Sequence, residues 1–332
     1  MSLNLAVVGA GAWGTALALH FGRRHRVALW VWDGRQLEAM ARTRSNEQFL
    51  PGLKLPDAVR LEGDLARAMA RADLAIVAVP IAALRETLQG YAAIGSRVPY
   101  LWACKGFEQG SAKFPHQMAR EEVSGSIPCG AFSGPSFALE VAKGLPTAVT
   151  LASTDEAFAA GTARELHDQH LRVYSSGDVV GVEVGGAVKN VIAIAAGIAD
   201  GMNFGHNARA ALVTRGLAEI TRLGLRLGGR METFMGLAGV GDLMLTCTGD
   251  LSRNRRVGLM LAGGKTLPVI LAELGHVAEG VHTAREVRRL ARTMGVEMPI
   301  TEAVCQILFE GVSARTAVEG LLHRDPKPEN YQ

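Results

Sequence analysis

The sequence predicts an α/β fold, with a doubly wound sheet in the N-terminal half and an all-helical C-terminal domain. Two observations carry that expectation. Short β-type runs alternate with helical stretches up to about residue 185, after which the strand signals stop. Such alternation builds parallel sheets with helices on both faces. In addition, the first strand run ends in a glycine-rich turn that opens a helical run.

Residues 3–8, 27–32, 74–79 and 98–103 read as the first four strands, and 131–133, 148–152 and 171–174 as later ones. These runs are apolar without polar alternation, which fits burial on both faces. Residues 15–23 and 36–42 are helical in composition. In the second half, 186–202, 208–223, 267–274, 283–294 and 301–308 read as helices. The expected domains are therefore 1–185 and 186–332, a division that suits 332 residues.

Composition excludes several classes. With 48% hydrophobic and 20% charged residues, the chain as a whole is not disordered. The tail from Asp325, DPKPENYQ, is the exception and is expected to lack structure. A net charge of +3 is too small to argue for nucleic acid or a membrane surface, although it allows a local cationic pocket. Cys104, Cys129, Cys247 and Cys305 form no CxxC pair and match no zinc spacing, so no metal is expected. Scattered reduced thiols point to the cytosol. The apolar run 5–8 ends at Gly9, too short for a signal peptide core. Runs such as 74–84 are broken by Pro80 and fall short of the roughly 20 residues a membrane helix needs. A soluble protein is expected.

Gly9-Ala10-Gly11-Ala12-Trp13-Gly14 is a GxGxxG motif. Alone it is a weak signal. Here it follows a strand, opens a helix, and begins a βαβ unit whose second strand leads to Asp33, an acidic residue about 20 positions on. Gly9 permits the tight turn, Gly11 lets backbone approach a pyrophosphate, and Gly14 lets helix and strand pack closely. The helix N-terminus offers free N–H groups to the anion. Domain 1–185 is thus read as dinucleotide-binding.

The stretch 185–202, GGAVKNVIAIAAGIADGM, is apolar nearly all round, so its helix should be buried. Lys189, Asn190 and Asp200 are its strongly polar residues. A buried ammonium is costly unless paired or functional. Lys189 therefore reads either as an acid/base group or as a lysine reaching water along its stem. Asp242, after Gly239-Val240-Gly241, reads as a functional carboxylate or a helix cap. Ser252-Arg253-Asn254-Arg255-Arg256 is either a solvated basic loop or a phosphate grip, since arginine forks match phosphate oxygens. In the first domain, Lys105 ends a strand, and Ser133-Gly134-Pro135-Ser136-Phe137-Ala138 is a strand-to-helix turn. Ligand sites of open α/β sheets lie at that edge, so the two segments read either as ligand contacts or as an exposed lysine and an ordinary capped turn.

The segments GAGAWGTALA, FLPG, ACKGFE, SGPSFA, GGAVKNVIAIAAGIADG, TRGLAEITRLG, FMGLAGVGDLMLTCT, SRNRR and VAEG together resemble bacterial NAD(P)-dependent glycerol-3-phosphate dehydrogenase. They span roughly residues 5 to 310. The resemblance implies an N-terminal Rossmann domain and a helical, 6-phosphogluconate-dehydrogenase-like C-terminal domain, with catalysis in the cleft between them. Lys189 falls on the family's catalytic lysine, and Asp242 would hold it. Lys105, Gly134, Ser136, Lys189, Asp242, Ser252, Arg253 and Asn254 fall on substrate-contacting positions. Cofactor contacts fall on Gly9, Gly11, Ala12, Trp13, Gly14, Trp32, Asp33, Lys105, Ala138, Arg253, Val277 and Glu279. Thr246 and Asn190 would support them. The family uses NAD(P)H to interconvert dihydroxyacetone phosphate and glycerol 3-phosphate for phospholipid synthesis, usually as a cytoplasmic homodimer. No nucleic acid or membrane partner is implied.

One departure concerns the cofactor. Bacterial relatives often carry Gly-Arg-Asp after the second strand, where this chain has Val31, Trp32 and Asp33. The arginine that would meet the adenosine 2′-phosphate is replaced by tryptophan. A rival reading, a β-hydroxyacid dehydrogenase, wants Lys-x-x-x-Asn on the central helix. Here Ala193 stands four residues after Lys189, and the asparagine is Asn190. A non-catalytic dinucleotide sensor would need neither Lys189 nor the SRNRR grip.

Overall fold

The computed structural model describes residues 2–274 and 278–325. Val277 and the tail beyond Asp325, both subjects of expectations above, lie outside the described residues. The chain forms two compact units, Met1–Lys105 with Phe114–Val179, and Gly106–Lys113 with Val180–Gln332.

The first unit contains β1 (Asn4–Val8), α1 (Ala12–Phe21), β2 (Arg26–Trp30), α2 (Gly34–Thr43), β3 (Val59–Glu62), α3 (Leu65–Met69), β4 (Leu74–Val77) and α4 (Ile81–Ala93). It continues with β5 (Tyr100–Trp102), α5 (Pro115–Glu122), β6 (Cys129–Ser133), α6 (Ala138–Lys143), β7 (Thr147–Ala152), α7 (Glu156–Leu166) and β8 (Leu171–Ser176). The strands form one sheet in the order β3-β2-β1-β4-β5-β6-β7-β8. From β3 to β6 every pairing is parallel. The chain reverses its direction of travel across the sheet between β1 and β4, and at such a switch point the carboxyl ends of the strands open a crevice.

Two features depart from the sequence expectation. Strand β7 runs antiparallel to β6, pairing Phe132 with Leu151, while β8 pairs parallel to β7. The short α6 link does not carry the chain back along the sheet, so β7 starts at the edge where β6 ends. Strand β3, VRLE, was not expected. It is an edge strand, where charged outward residues are tolerated and the apolar signal is weak.

The second unit is helical: α8 (Val179–Gly201), α9 (Gly205–Arg226), α10 (Met231–Phe234), a π-helical turn (Leu237–Gly241), α11 (Asp242–Thr248) and α12 (Arg253–Ala262). Then come α13 (Leu267–Leu274), α14 (Glu279–Met294), α15 (Pro299–Phe309) and α16 (Ala314–Leu322). Helix α8 begins ahead of the start expected at 186, because burial overrides the poor helix propensity of its β-branched and glycine-rich first turns. It is long and apolar enough to cross a membrane, yet 94% of its most apolar window is buried inside the protein. It is the core helix of this unit.

Glycines let other elements reach α8. A Cβ at Gly197 would lie 2.0 Å from the Arg255 carbonyl oxygen, and one at Gly258 would lie 2.0 Å from that of Ile194. Thus α8 and α12 cross backbone to backbone. Likewise, a Cβ at Gly185 would lie 2.4 Å from the Ala238 oxygen, so the π-helical turn presses on α8. The segment 106–113 is docked on α14, where the Gly110 N–H donates to Glu286 at 2.9 Å and Arg289 donates to the Gly110 carbonyl at 2.6 Å.

Glu219 on α9 supplies the N-terminal cap of α15. Its carboxylate accepts from the Ile300 N–H at 2.6 Å, the Thr301 N–H at 3.2 Å and the Thr301 hydroxyl at 3.1 Å. Burial pushes its pKa from 4.5 up to about 7, against the pull of these donors. The folded protein therefore holds this proton over a range where the unfolded chain has lost it. The associated stability is fully present below about pH 4.5 and is lost as pH rises through about 7. Urea midpoints should accordingly fall between these limits, and Glu219→Gln should flatten that fall. An identical pH slope in the variant would remove Glu219 from the account.

Candidate active site

The first set of expected residues gathers at the carboxyl edge of the sheet. Gly9 follows β1 with φ +113, a conformation that disfavours side chains, and its Cβ would meet the Ala78 oxygen at 2.9 Å. A Cβ at Gly14 would lie 1.9 Å from the Gly9 oxygen, so α1 could not sit this close with a larger residue. Gly11 differs. Its φ is an ordinary −73, and a Cβ there would meet nothing within 4 Å. The fold places no demand for glycine at that position, whereas a pyrophosphate lying on the backbone would. Gly11 is also the N-cap of α1 without a side-chain cap, so Ala12, Trp13 and Gly14 sit at a helix N-terminus suited to an anion. The residues present fit a dinucleotide.

Further along the same edge, Trp32 is 78% exposed just after β2. Asp33 caps α2, its carboxylate accepting from the Gln36 N–H at 2.8 Å. Lys105, after β5, donates to the Gly134 carbonyl at 3.2 Å, and the Ser136 hydroxyl donates to the same oxygen at 3.0 Å. Gly134 has φ +151, and its Cβ would lie 2.9 Å from the Val149 Cα. A glycine is therefore needed for Lys105 and Ser136 to share that carbonyl. Ala138 opens α6 directly after this turn.

The second set lies in the helical unit around the midpoint of α8. Lys189 is buried, 6% exposed, and its ammonium bonds the Asp242 carboxylate and, at 2.9 Å, the Thr246 hydroxyl. Thr246 in turn donates to the Asp242 backbone carbonyl at 2.6 Å. Asp242 follows the π-helical turn, which turns its carboxylate toward α8 rather than into a cap of its own helix. Such π turns often mark functional positions. Burial pushes the neighbouring Cys247 thiol up to about 12, so it stays protonated near neutrality and takes no part in acid/base work.

The SRNRR run is a helix start rather than a loop. Ser252 caps α12 by accepting from the Arg255 N–H at 3.2 Å. Asn254 is buried and accepts from the Gly280 N–H at 3.1 Å through its carbonyl oxygen, which leaves its amide nitrogen as the donor it can offer a ligand. That bond also ties α12 to the head of α14, where Glu279 stands. The arginines divide. Arg255 pairs with Asp200 at 2.8 Å and Asp250 at 3.0 Å, so its role is structural. Arg253 is exposed at the first position of α12. Among the described residues, no group of three His, Cys, Asp or Glu side chains is placed to hold a metal.

Two family models cover almost the whole chain. One describes the N-terminus of NAD-dependent glycerol-3-phosphate dehydrogenase and matches residues 4–159; the other describes its C-terminus and matches 178–319. The chain belongs to this dehydrogenase family. A glycerol-3-phosphate dehydrogenase [NAD(P)+] from Nitrosospira multiformis is 61% identical to it, over 99% of this chain and all of the relative. A crystal structure of the glycerol-3-phosphate dehydrogenase of Coxiella burnetii superposes with a TM-score of 0.93 at 40% identity, covering 97% of this chain and 99% of that one. D-mandelate dehydrogenase, at 14% identity and TM-score 0.62, shares the fold alone.

Within this family member, two supports were not read from the sequence. Gln36 and Asn46 both donate to the carbonyl of Ala10 in the glycine turn. The π-helical turn that aims Asp242 was also missed. Its one sequence signal is the glycine density of Gly236-Leu237-Ala238-Gly239-Val240-Gly241, which no helix or strand period explains.

Proposed function

We propose that the chain interconverts sn-glycerol 3-phosphate and dihydroxyacetone phosphate with NAD(P)(H). The buried Lys189–Asp242–Thr246 cluster carries this reading. A lysine this deeply placed, held by a carboxylate and a hydroxyl, is arranged to manage a proton rather than to solvate a surface. The nicotinamide cofactor supplies the hydride when bound. Gly9, Gly11, Ala12, Trp13 and Gly14 would hold its pyrophosphate, Trp32 and Asp33 its adenosine end, and Lys105, Ala138, Arg253 and Glu279 further contacts.

Lys189, as ammonium, donates a proton to the substrate carbonyl oxygen as negative charge develops there. Asp242 stabilises the ammonium and Thr246 fixes its direction. Ser252, Arg253 and Asn254 grip the substrate phosphate, and Lys105, Gly134 and Ser136 are further substrate contacts. We further propose a cytoplasmic homodimer that supplies glycerol 3-phosphate to phospholipid synthesis. Following the absorbance of reduced nicotinamide with dihydroxyacetone phosphate tests the central claim. No oxidation of either NADH or NADPH would refute it.

The exposed Trp32 bears on cofactor choice. Tryptophan offers one N–H and no charge, whereas Asp33 can accept from a 2′-hydroxyl and repels a 2′-phosphate. Arg35, exposed in the first turn of α2, is the nearby cation. One charge-assisted hydrogen bond is worth about 1.5–3 kcal/mol, or roughly ten- to 150-fold. The enzyme should therefore use both cofactors. Trp32→Arg should move kcat/KM toward NADPH, and Arg35→Ala toward NADH. An unaltered protein favouring NADPH by more than about a thousandfold would show that other residues read the phosphate.

A further inference from the structure

The glycine turn and Asp33 lie on different strand ends, yet one residue joins them, through its backbone at one end and its side chain at the other. The Gln36 backbone N–H donates to the Asp33 carboxylate at 2.8 Å, and its side-chain amide donates to the Ala10 carbonyl at 2.7 Å. Asn46, 1% exposed, donates to the same carbonyl at 2.9 Å and to the Thr15 hydroxyl on α1 at 2.7 Å. The Gln36 amide also reaches the Asn46 side-chain oxygen at 3.4 Å. Ala10 is the second residue of the GxGxxG motif, so two donors from outside the turn seize its middle. An amide nitrogen carries two donors, and both of Asn46's point at this loop and its helix.

We propose that Gln36 is a positioning residue, braced by Asn46, that fixes the spacing between the pyrophosphate turn and the Asp33 carboxylate. This rests on the reading of these two elements as the cofactor site. Glycine-rich turns are intrinsically loose, because glycine loses more conformational freedom on ordering than any other residue. A turn already held by its carbonyl does not have to be ordered when the dinucleotide arrives, and that preorganisation appears as affinity. Asp33 is likewise held at its cap by the same residue. A ligand that reaches both elements at once gains from the brace, whereas one that reaches Asp33 alone does not.

The test compares NADH with adenosine on Gln36→Met, which keeps length but removes the amide. NADH affinity is read by fluorescence titration, adenosine affinity by NMR, and folding by thermal melting. The Gln36 backbone N–H remains, so Asp33 keeps its cap. NADH affinity should weaken by about 3- to 10-fold, the worth of one neutral hydrogen bond. Adenosine affinity should stay within about twofold, since its contact lies at the retained end. Asn46→Asp, which removes the second pair of donors, should act in the same direction. Equal losses for NADH and adenosine, or unchanged NADH affinity, overturns the proposal. If Gln36→Met does not fold, Gln36→Ala is measured against the same outcomes. Should the unaltered protein fail to bind NADH at all, the cofactor reading fails, which is a separate result from failure of the brace.

Discussion

Lys189→Met is expected to lower kcat by roughly 10²–10⁴-fold, the usual contribution of a positioned general acid. Methionine keeps the length and apolar character of the side chain, so α8 should still pack. It removes the ammonium that Asp242 and Thr246 hold. Asp242 then stays buried without the Lys189 ammonium, a penalty that falls on stability and is visible as a lower melting temperature. Adding Asp242→Asn should recover part of that stability without restoring kcat. NADH binding should survive both changes, because the glycine turn lies in the other compact unit. If Lys189→Met retained more than about a tenth of kcat, the lysine would not be the proton donor.

Arg253→Ala is expected to weaken dihydroxyacetone phosphate by roughly ten- to 150-fold, the loss of one charge-assisted contact at about 1.5–3 kcal/mol. The structure sharpens this test through Arg255, two residues on. Arg255 is engaged by Asp200 and Asp250, and Asp200 is also paired with Arg209 at 3.1 Å. Arg255→Ala should therefore lower the melting temperature, whereas Arg253 stands exposed at the head of α12 and its loss should spare it. The two arginines should thus separate cleanly into a KM effect and a stability effect. A KM for Arg253→Ala equal to that of the unaltered enzyme would move the phosphate grip elsewhere.

Much of the outline is legible in the chain itself. Apolar runs such as Leu5–Val8 mark strands buried on both faces, and Gly9, Gly11 and Gly14 mark the turn that follows. Lys189 stands out because it is the lone cation in the α8 sequence. These are local signals, set by the period of the hydrophobic pattern or by a residue type at odds with its surroundings. The edge strand β3 and the antiparallel β7 were hidden for the converse reason. Edge strands need little apolar patterning, and strand direction depends on where the intervening link ends, which composition does not record.

The site divides in the same way. The sequence by itself determined a glycine-rich turn between a strand and a helix, an out-of-place lysine and a basic cluster following a carboxylate. Tertiary structure decided which of these groups meet. Lys189 and Asp242 are far apart in sequence, and they pair because Gly185 lets the π-helical turn press against α8. Two arginines of one short run diverge because only Arg255 falls beside Asp200 once Gly197 and Gly258 let α8 and α12 cross. Gln36 reaches Ala10 from the first turn of α2, and Asn46 reaches it from a loop that no periodicity describes. The physical reason is common to all three. A hydrogen bond or ion pair is decided within about 3 Å, a distance set by how closely backbones can approach and not by the spacing of residues along the chain.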